Sequence, residues 1–66
     1  MNGTILRVVC ERGFGFILPQ GERRTVFFHA TDLIGLEFGE QLRELQVSFE
    51  LIETEKGLQA RCVEAY

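Results

Sequence analysis

Short runs in which apolar residues alternate with polar residues or glycine recur along the chain, and this period of two is typical of β-strands with two different faces. Their β-branched and aromatic residues predict five strands, at residues 4–10, 14–18, 26–29, 46–52 and 58–63. Glycine, proline and charged residues predict turns at 11–13, 19–24 and 54–57. The pattern therefore predicts an all-β chain.

The stretch between the third and fourth strands has a different character. Residues 30–34 are long enough for one helical turn, and Thr31 or Asp32 is expected as its N-cap. Residues 35–40 predict a long connection, and residues 41–45, which have helical propensity, are interpreted as the approach to the fourth strand. The aromatic residue Phe38 either packs beneath this connection or extends an exposed aromatic surface.

Five strands in one open sheet would leave two unpaired edges and one uncovered apolar face. Closure into a small barrel removes both problems. We therefore predict that residues 1–66 form a single domain, a five-stranded antiparallel Greek-key barrel of the OB-fold class. Barrels of this class bind oligonucleotides on their second and third strands.

Those two strands carry four of the six phenylalanines. In the second strand Phe14 and Phe16 share one face, whereas Gly15 and Ile17 fall on the other. Two aromatic side chains separated only by glycine suit a flat platform that stacks nucleobases. The alternative is a hydrophobic strand with two ordinary core phenylalanines.

The third strand places Phe27 and His29 on one face and Val26 and Phe28 on the other. If it pairs antiparallel with the second strand, Phe27 and His29 lie beside the phenylalanines of that strand, close enough for aromatic groups to touch. A histidine with such neighbours is expected to belong to the stacking surface.

The net charge of −3 argues against a simple polyanion binder. The charge is unevenly distributed, however. Residues 1–30 carry four arginines and two glutamates, whereas residues 31–66 carry three basic and eight acidic residues. The half that contains the aromatic strands is thus the basic half, which supports a nucleic-acid ligand.

Several other function classes find no support in the sequence. No apolar run is long enough to span a membrane and no leader is recognisable, so a cytoplasmic location is expected. Cys10 and Cys62 lack the spacing of a metal site and are expected to be free thiols. The sequence has one histidine with no acid pair facing it, and it has no phosphate-binding loop. We therefore expect neither catalysis nor a cofactor.

Several segments, taken in order and spacing, resemble the bacterial cold-shock proteins and cold-shock domains generally. These segments are residues 3–5, 12–17, 26–29, 47–50 and 56–60, together with Phe38. Arg-Gly-Phe-Gly-Phe and Val-Phe-Phe-His look like the two RNP-type motifs of that family. The resemblance covers the whole chain, and it implies a cold-shock-type barrel that binds single-stranded RNA or DNA by base stacking.

The resemblance also implies which residues contact the nucleic acid. The positions that match family stacking residues are Phe14, Phe16, Phe27, His29 and Phe38. In a stacking mechanism the basic residues expected near the phosphate backbone are Arg7, Arg12, Arg23, Arg24 and Lys56, of which the resemblance itself implies only Arg12 and Lys56. Of these, Arg12 takes the place of the basic residue before the first motif. Lys56 and Gln59 match polar contacts near the last turn.

The chain also departs from the family pattern. Where the family usually has Lys-Trp-Phe-Asn, residues 6–9 read Leu-Arg-Val-Val, which puts Arg7 at the tryptophan position. Ala30 replaces an aromatic residue, Thr25 an acidic one and Glu44 a glycine. Missing rings are expected to weaken binding, because each base–aromatic stack contributes about 1–3 kcal/mol. The planar guanidinium of Arg7 can itself stack or contact phosphate.

Two functions are compatible with the sequence. The first is a single-stranded nucleic-acid-binding module that acts without catalysis, as an RNA chaperone or a regulator of transcription or translation. The alternative is a protein-interaction or homodimerisation module that uses the same apolar face, with weak or lost nucleic-acid binding. Salt distinguishes them, because nucleic-acid binding weakens as salt rises and apolar docking is nearly insensitive to it.

Overall fold

The computed structural model describes residues 1–66. Its strands are β1 (Asn2–Val9), β2 (Phe14–Pro19), β3 (Val26–His29), β4 (Gln46–Thr54) and β5 (Gly57–Ala65). Two short 3-10 turns, Ala30–Asp32 and Glu40–Leu42, lie between β3 and β4. All five predicted strands are present, and their bounds differ from the prediction by at most two residues.

The strands close into a barrel in the order β1-β2-β3-β5-β4, which confirms the predicted fold class. Four seams are antiparallel. The fifth, between β3 and β5, is parallel and contains one residue pair, Phe27 with Gln59. Its direction follows from the connectivity, because β3 runs parallel to β1 while β5 runs opposite to β4, which itself runs opposite to β1.

The interior of the barrel is apolar, and no polar or charged side chain is buried in it. The ten buried hydrophobic residues form one cluster and are Ile5, Val8, Ile17, Val26, Phe28, Leu42, Val47, Phe49, Ala60 and Val63. Removal of this apolar surface from water is the main favourable contribution to folding.

The outer half of β4 does not follow its predicted alternation. Val47 and Phe49 are buried as predicted, but Leu51, which shares their face in a regular strand, is 37% exposed. The ladder between β1 and β4 ends at Ser48. Phe49 still exchanges hydrogen bonds with Met1, but the rest of β4 pairs with β5 alone, so β1 does not cover Leu51.

A bulge in β5 changes which residues point inward. The sequence pattern places Leu58, Ala60 and Cys62 on one apolar face, yet only Ala60 of the three is buried. The register with β4 shifts near Cys62, whose φ is 54°. Because an extra residue reverses the alternation, Val63 takes the inward position instead of Cys62.

A second bulge lies in β1. The register with β2 shifts between Ile5 and Arg7. Ile5 and Val8 are buried, whereas Leu6 and Arg7 between them are both exposed. The bulge therefore turns two consecutive side chains outward.

The prediction that Thr31 or Asp32 caps the helical turn after β3 is wrong. The N-cap is His29, whose Nδ1 accepts a hydrogen bond from the Thr31 N–H at 3.2 Å. Asp32 completes a reciprocal cap, because its Oδ2 accepts a hydrogen bond from the His29 N–H at 2.8 Å. The cap thus fixes the end of β3 and the position of His29.

Glu44 occupies a backbone conformation that favours glycine, with φ at 67°. The left-handed region costs a residue with a Cβ about 1–2 kcal/mol, and the greater freedom of glycine in the unfolded chain offsets part of this. We expect Glu44→Gly to stabilise the fold by about 0.5–1 kcal/mol, which corresponds to a rise of about 2–8 °C in Tm. Thermal unfolding followed by circular dichroism measures this change.

Glu44→Ala is the matched control, because it removes the carboxylate and keeps the Cβ. It should show no comparable gain. An equal rise in Tm for both variants would assign the effect to the lost charge and rule out backbone strain at this position.

Candidate nucleic-acid interface

Three aromatic rings lie together on the outer face of β2 and β3. The ring centroids of Phe14 and Phe27 are 5.4 Å apart, those of Phe14 and Phe16 5.8 Å, and those of Phe16 and Phe27 6.3 Å. All three side chains are half-buried. We call Phe14, Phe16 and Phe27 the aromatic platform.

The platform faces outward because the opposite faces of the same strands form the core. Gly15, Ile17, Val26 and Phe28 are all buried. A Cβ built on Gly15 would lie 2.7 Å from the Phe28 ring. Because Gly15 has no side chain, the Phe28 ring fits inside the barrel. The alternation along β2 turns the rings of Phe14 and Phe16, which flank Gly15 in the sequence, outward.

The strand register extends the platform into two rows. In the longer row, Arg7 pairs with Phe16, Phe16 with Phe27, and Phe27 with Gln59, so four strands contribute one residue each. In the shorter row, Phe14 pairs with His29 on β3. Every polar member of these rows, Arg7, His29 and Gln59, was predicted as a contact residue, and the register brings them beside the rings.

His29 is held in a fixed orientation at the edge of the platform. Its Nδ1 accepts from the Thr31 N–H and lies 3.1 Å from the Thr31 hydroxyl oxygen. Because a backbone N–H only donates, the neutral imidazole carries its proton on Nε2. That N–H makes no hydrogen bond within the chain and is free for a ligand.

Phe38 lies apart from the platform. Its half-buried side chain packs against the core cluster, and its ring centroid is 6.4 Å from that of Phe28. Of the two arrangements considered for Phe38, the structure has the one in which the ring packs beneath its connection.

Most basic side chains of the protein have no acidic partner. Ion pairs join only Arg43 to Glu40, at 3.5 Å, and Arg61 to Asp32, at 3.9 Å. The cations without an ion-pair partner are Arg7, Arg12, Arg23, Arg24 and Lys56. All five are exposed, and they are the five that the sequence analysis assigned to the phosphate backbone.

Two grooves adjoin Phe27. The larger, of about 570 Å³, is lined by Phe16, Phe27, Arg24 and Lys56 among others, with Glu22 as its one acidic residue. The smaller, of about 290 Å³, is lined by Phe27, Thr54, Lys56, Leu58 and Gln59. Arg24 and Lys56, which have no ion-pair partner, therefore lie beside two rings of the platform.

Asp32 is a residue that the sequence analysis considered only as a helix cap. Its side chain is 9% exposed, and its Oδ2 accepts hydrogen bonds from the His29 N–H and from Gln59 Nε2, each at 2.8 Å. Asp32 therefore joins the two rows of the interface. No local sequence signal indicates this contact, because Gln59 is 27 residues away.

Both cysteines are free and exposed. The Cys10 Sγ lies 3.4 Å from a carboxylate oxygen of Glu40. Desolvation, this hydrogen bond, and the negative charges of Glu40 and Glu11 raise the pKa of the Cys10 thiol above its ordinary value. A raised pKa lowers the fraction of reactive thiolate at Cys10.

No group of three or more histidine, cysteine, aspartate or glutamate residues is arranged to hold a metal ion. None of the helical turns has the length and apolar character that a membrane crossing requires.

Comparison with known proteins identifies the family. The family model described as the 'Cold-shock' DNA-binding domain matches residues 1–66. The chain is 38% identical over 59 residues to the probable cold shock protein A of Mycolicibacterium smegmatis, a match that covers 89% of this chain and 88% of that protein. It is also 38% identical over 58 residues to the major cold shock protein of Micrococcus luteus, covering 88% and 87% of the two chains.

A solved structure, drosophila Unr CSD456, has the same fold. It superposes with a TM-score of 0.77 at 28% sequence identity, over 98% of this chain and 26% of that longer chain. The family model covers the full length of the sequence, and these relatives and the solved structure cover 88–98% of it. The chain belongs to the cold-shock domain family, whose members generally bind nucleic acids.

Proposed function

We propose that this protein binds single-stranded RNA or DNA by stacking bases on the aromatic platform, without catalysis. The observation that carries the proposal is the cluster of three outward-facing rings bordered by unpaired cations. In the cell it would act in the cytoplasm as an RNA chaperone or as a regulator of transcription or translation.

Each part of the interface has a distinct task in this mechanism. Phe14, Phe16 and Phe27 present faces and edges to unpaired bases, and such stacking tolerates many sequences because every base has a π-face. Phe38 would offer only the exposed part of its half-buried ring, as a separate contact, because the rest of the ring packs against the core. Duplexes are disfavoured because their base faces are already covered by neighbouring base pairs.

The basic residues supply the electrostatic part of the binding energy. The proposed phosphate contacts are Arg7, Arg12, Arg23, Arg24 and Lys56. Each neutralised phosphate releases counterions, so the affinity should fall as salt concentration rises. The net charge of −3 makes this local concentration of cations necessary for attraction of a polyanion.

A fluorescence-anisotropy titration of a labelled, pyrimidine-rich single strand at low and moderate salt tests the proposal. Phe14→Ala and Phe27→Ala should each weaken binding about 5- to 150-fold, because each removes a stack of about 1–3 kcal/mol. Tyr66→Ala is the matched control: Tyr66 is an aromatic residue that is 76% exposed and lies outside the platform, so its loss should leave the affinity unchanged.

The opposite result would favour the protein-interaction alternative. Leu6 is 44% exposed and borders Phe16, so the platform and its surroundings also form an apolar patch of the kind that contacts proteins. Absence of binding even at low salt, together with salt-insensitive self-association, would replace the nucleic-acid proposal with this one.

A further inference from the structure

Gln59 is the one amide side chain in the longer row of the interface, and its orientation is fixed by a neighbour. Gln59 pairs with Phe27 across the parallel seam and borders the smaller groove. Its Nε2 donates a hydrogen bond to Asp32 Oδ2 at 2.8 Å. We propose that Asp32 is a positioning residue that sets the base preference at the platform by holding the Gln59 amide in one orientation.

The chemistry of the two side chains determines that orientation. An ionised carboxylate only accepts hydrogen bonds, whereas an amide has a donating nitrogen and an accepting oxygen. The nitrogen of Gln59 must therefore face Asp32, and Oε1 remains free, since it accepts no hydrogen bond within the chain. Without the carboxylate, the amide could turn by half a rotation and offer either group.

Asp32 is itself firmly held. The His29 N–H donates to the same Oδ2 at 2.8 Å, and Arg61 Nε lies 3.9 Å from Oδ1. The carboxylate thus has partners on both strands that form the seam, His29 on β3 and Gln59 and Arg61 on β5. Because the His29 N–H holds the carboxylate independently of Gln59, Asp32 is a suitable anchor for the Gln59 amide.

A base stacked on Phe27 would meet the free Oε1 of Gln59 at its edge. The exocyclic amino group of cytosine donates there directly. In uracil and thymine the single N–H of the pairing edge can also donate, but the carbonyl oxygens on both sides of it repel the accepting oxygen and weaken that bond. The arrangement therefore favours cytosine over uracil or thymine at this position. This inference depends on the proposed function and specifies its ligand.

Competition between oligocytidylate and oligouridylate of equal length tests the inference. A net hydrogen bond at this site should give the protein an affinity for the cytidine strand about three- to tenfold higher than for the uridine strand. Gln59→Ala and Asp32→Ala should each abolish the preference for the cytidine strand. The double variant should behave like either single variant, because both substitutions remove the same interaction.

Arg61→Ala is the matched control. It removes the charge beside Asp32 and leaves both short hydrogen bonds of the carboxylate, so the ratio should persist. A merely structural role for Asp32 would lower the affinities for both strands together. The affinity ratio therefore distinguishes a positioning role of Asp32 from a structural one. Gln59→Ala leaves the cap at His29 intact, so it tests the same interaction even where Asp32→Ala fails to fold.

Each remaining outcome has a distinct meaning. Equal, salt-dependent binding of both strands by the parent protein would overturn the inference and leave the proposed function standing. Persistence of the ratio in Asp32→Ala would overturn the positioning role. Failure to bind either strand would overturn the proposed function, and this inference with it.

Discussion

Replacement of Arg7 by tryptophan should tighten the binding of single-stranded nucleic acid about tenfold, since an added base–aromatic stack contributes about 1–3 kcal/mol and the lost cation offsets part of it. Arg7 is exposed and pairs with Phe16 at the end of the longer row. A ring at this position would therefore lie beside the platform. It is also the position at which cold-shock proteins usually carry tryptophan.

The same variant should change the response to salt. Loss of one phosphate contact reduces the slope of log affinity against log salt by about one, so the gain should be larger at moderate salt than at low salt. The parent chain contains no tryptophan, so the new side chain also provides a fluorescence signal that nucleic-acid binding should quench.

Two control variants test whether the gain in affinity depends on the position of the added ring. Arg7→Ala removes the guanidinium without adding a ring and should bind more weakly than the parent. Ile34→Trp adds the same indole at an exposed position outside the two rows, and its affinity should match that of the parent. A gain in Ile34→Trp equal to that in Arg7→Trp would show that any exposed indole suffices and would contradict the role of the row.

Replacement of Gly15 by alanine should destabilise the protein by about 3 kcal/mol, the upper end of the usual cost of overpacking. The new Cβ would lie 2.5 Å from the Arg7 carbonyl oxygen and 2.7 Å from the Phe28 ring. Neither can yield easily, because one belongs to the backbone of β1 and the other fills the core. A domain of this length has about 3–10 kcal/mol of stability, so much of it would be lost.

Urea denaturation of Gly15→Ala measures this effect. Gly39→Ala is the control, because φ at Gly39 is 171°, which any residue adopts, and the new Cβ would meet only the flexible end of Gln41. It should change stability far less. Equal urea midpoints for Gly15→Ala and the parent would contradict the prediction. They would mean that Phe28 and β1 move apart to admit the Cβ, contrary to the behaviour expected of a close-packed interior.

The sequence was sufficient to predict the strands and the face of β2 and β3 that carries the platform. Both follow from a local period of two: Gly15 and Ile17 alternate with Phe14 and Phe16, and burial in the structure follows the same alternation. The exposed cations were predictable as a group, because long charged side chains remain in water when no partner is near.

The remaining features depend on long-range pairing, which a local pattern does not encode. The bulge that exposes both Leu6 and Arg7 arises where β1 meets β2, and the bulge at Cys62 arises where β5 meets β4. The bond between Asp32 and Gln59 joins residues that become neighbours only when the barrel closes. His29 was expected to stack, but its second role as an N-cap depends on backbone angles that the sequence does not give.

The barrel is expected to open most readily between β3 and β5. β3 has four residues, and a single ladder pair, Phe27 with Gln59, joins it to β5, with one isolated bridge beyond. Transient local unfolding favours seams with few ladder pairs, and it would separate Phe27 from Gln59. A bound strand that touches both residues selects the closed form and raises its population. Binding of nucleic acid and closure of the seam between β3 and β5 are thus linked, so this seam should be more rigid in the bound protein than in the free protein.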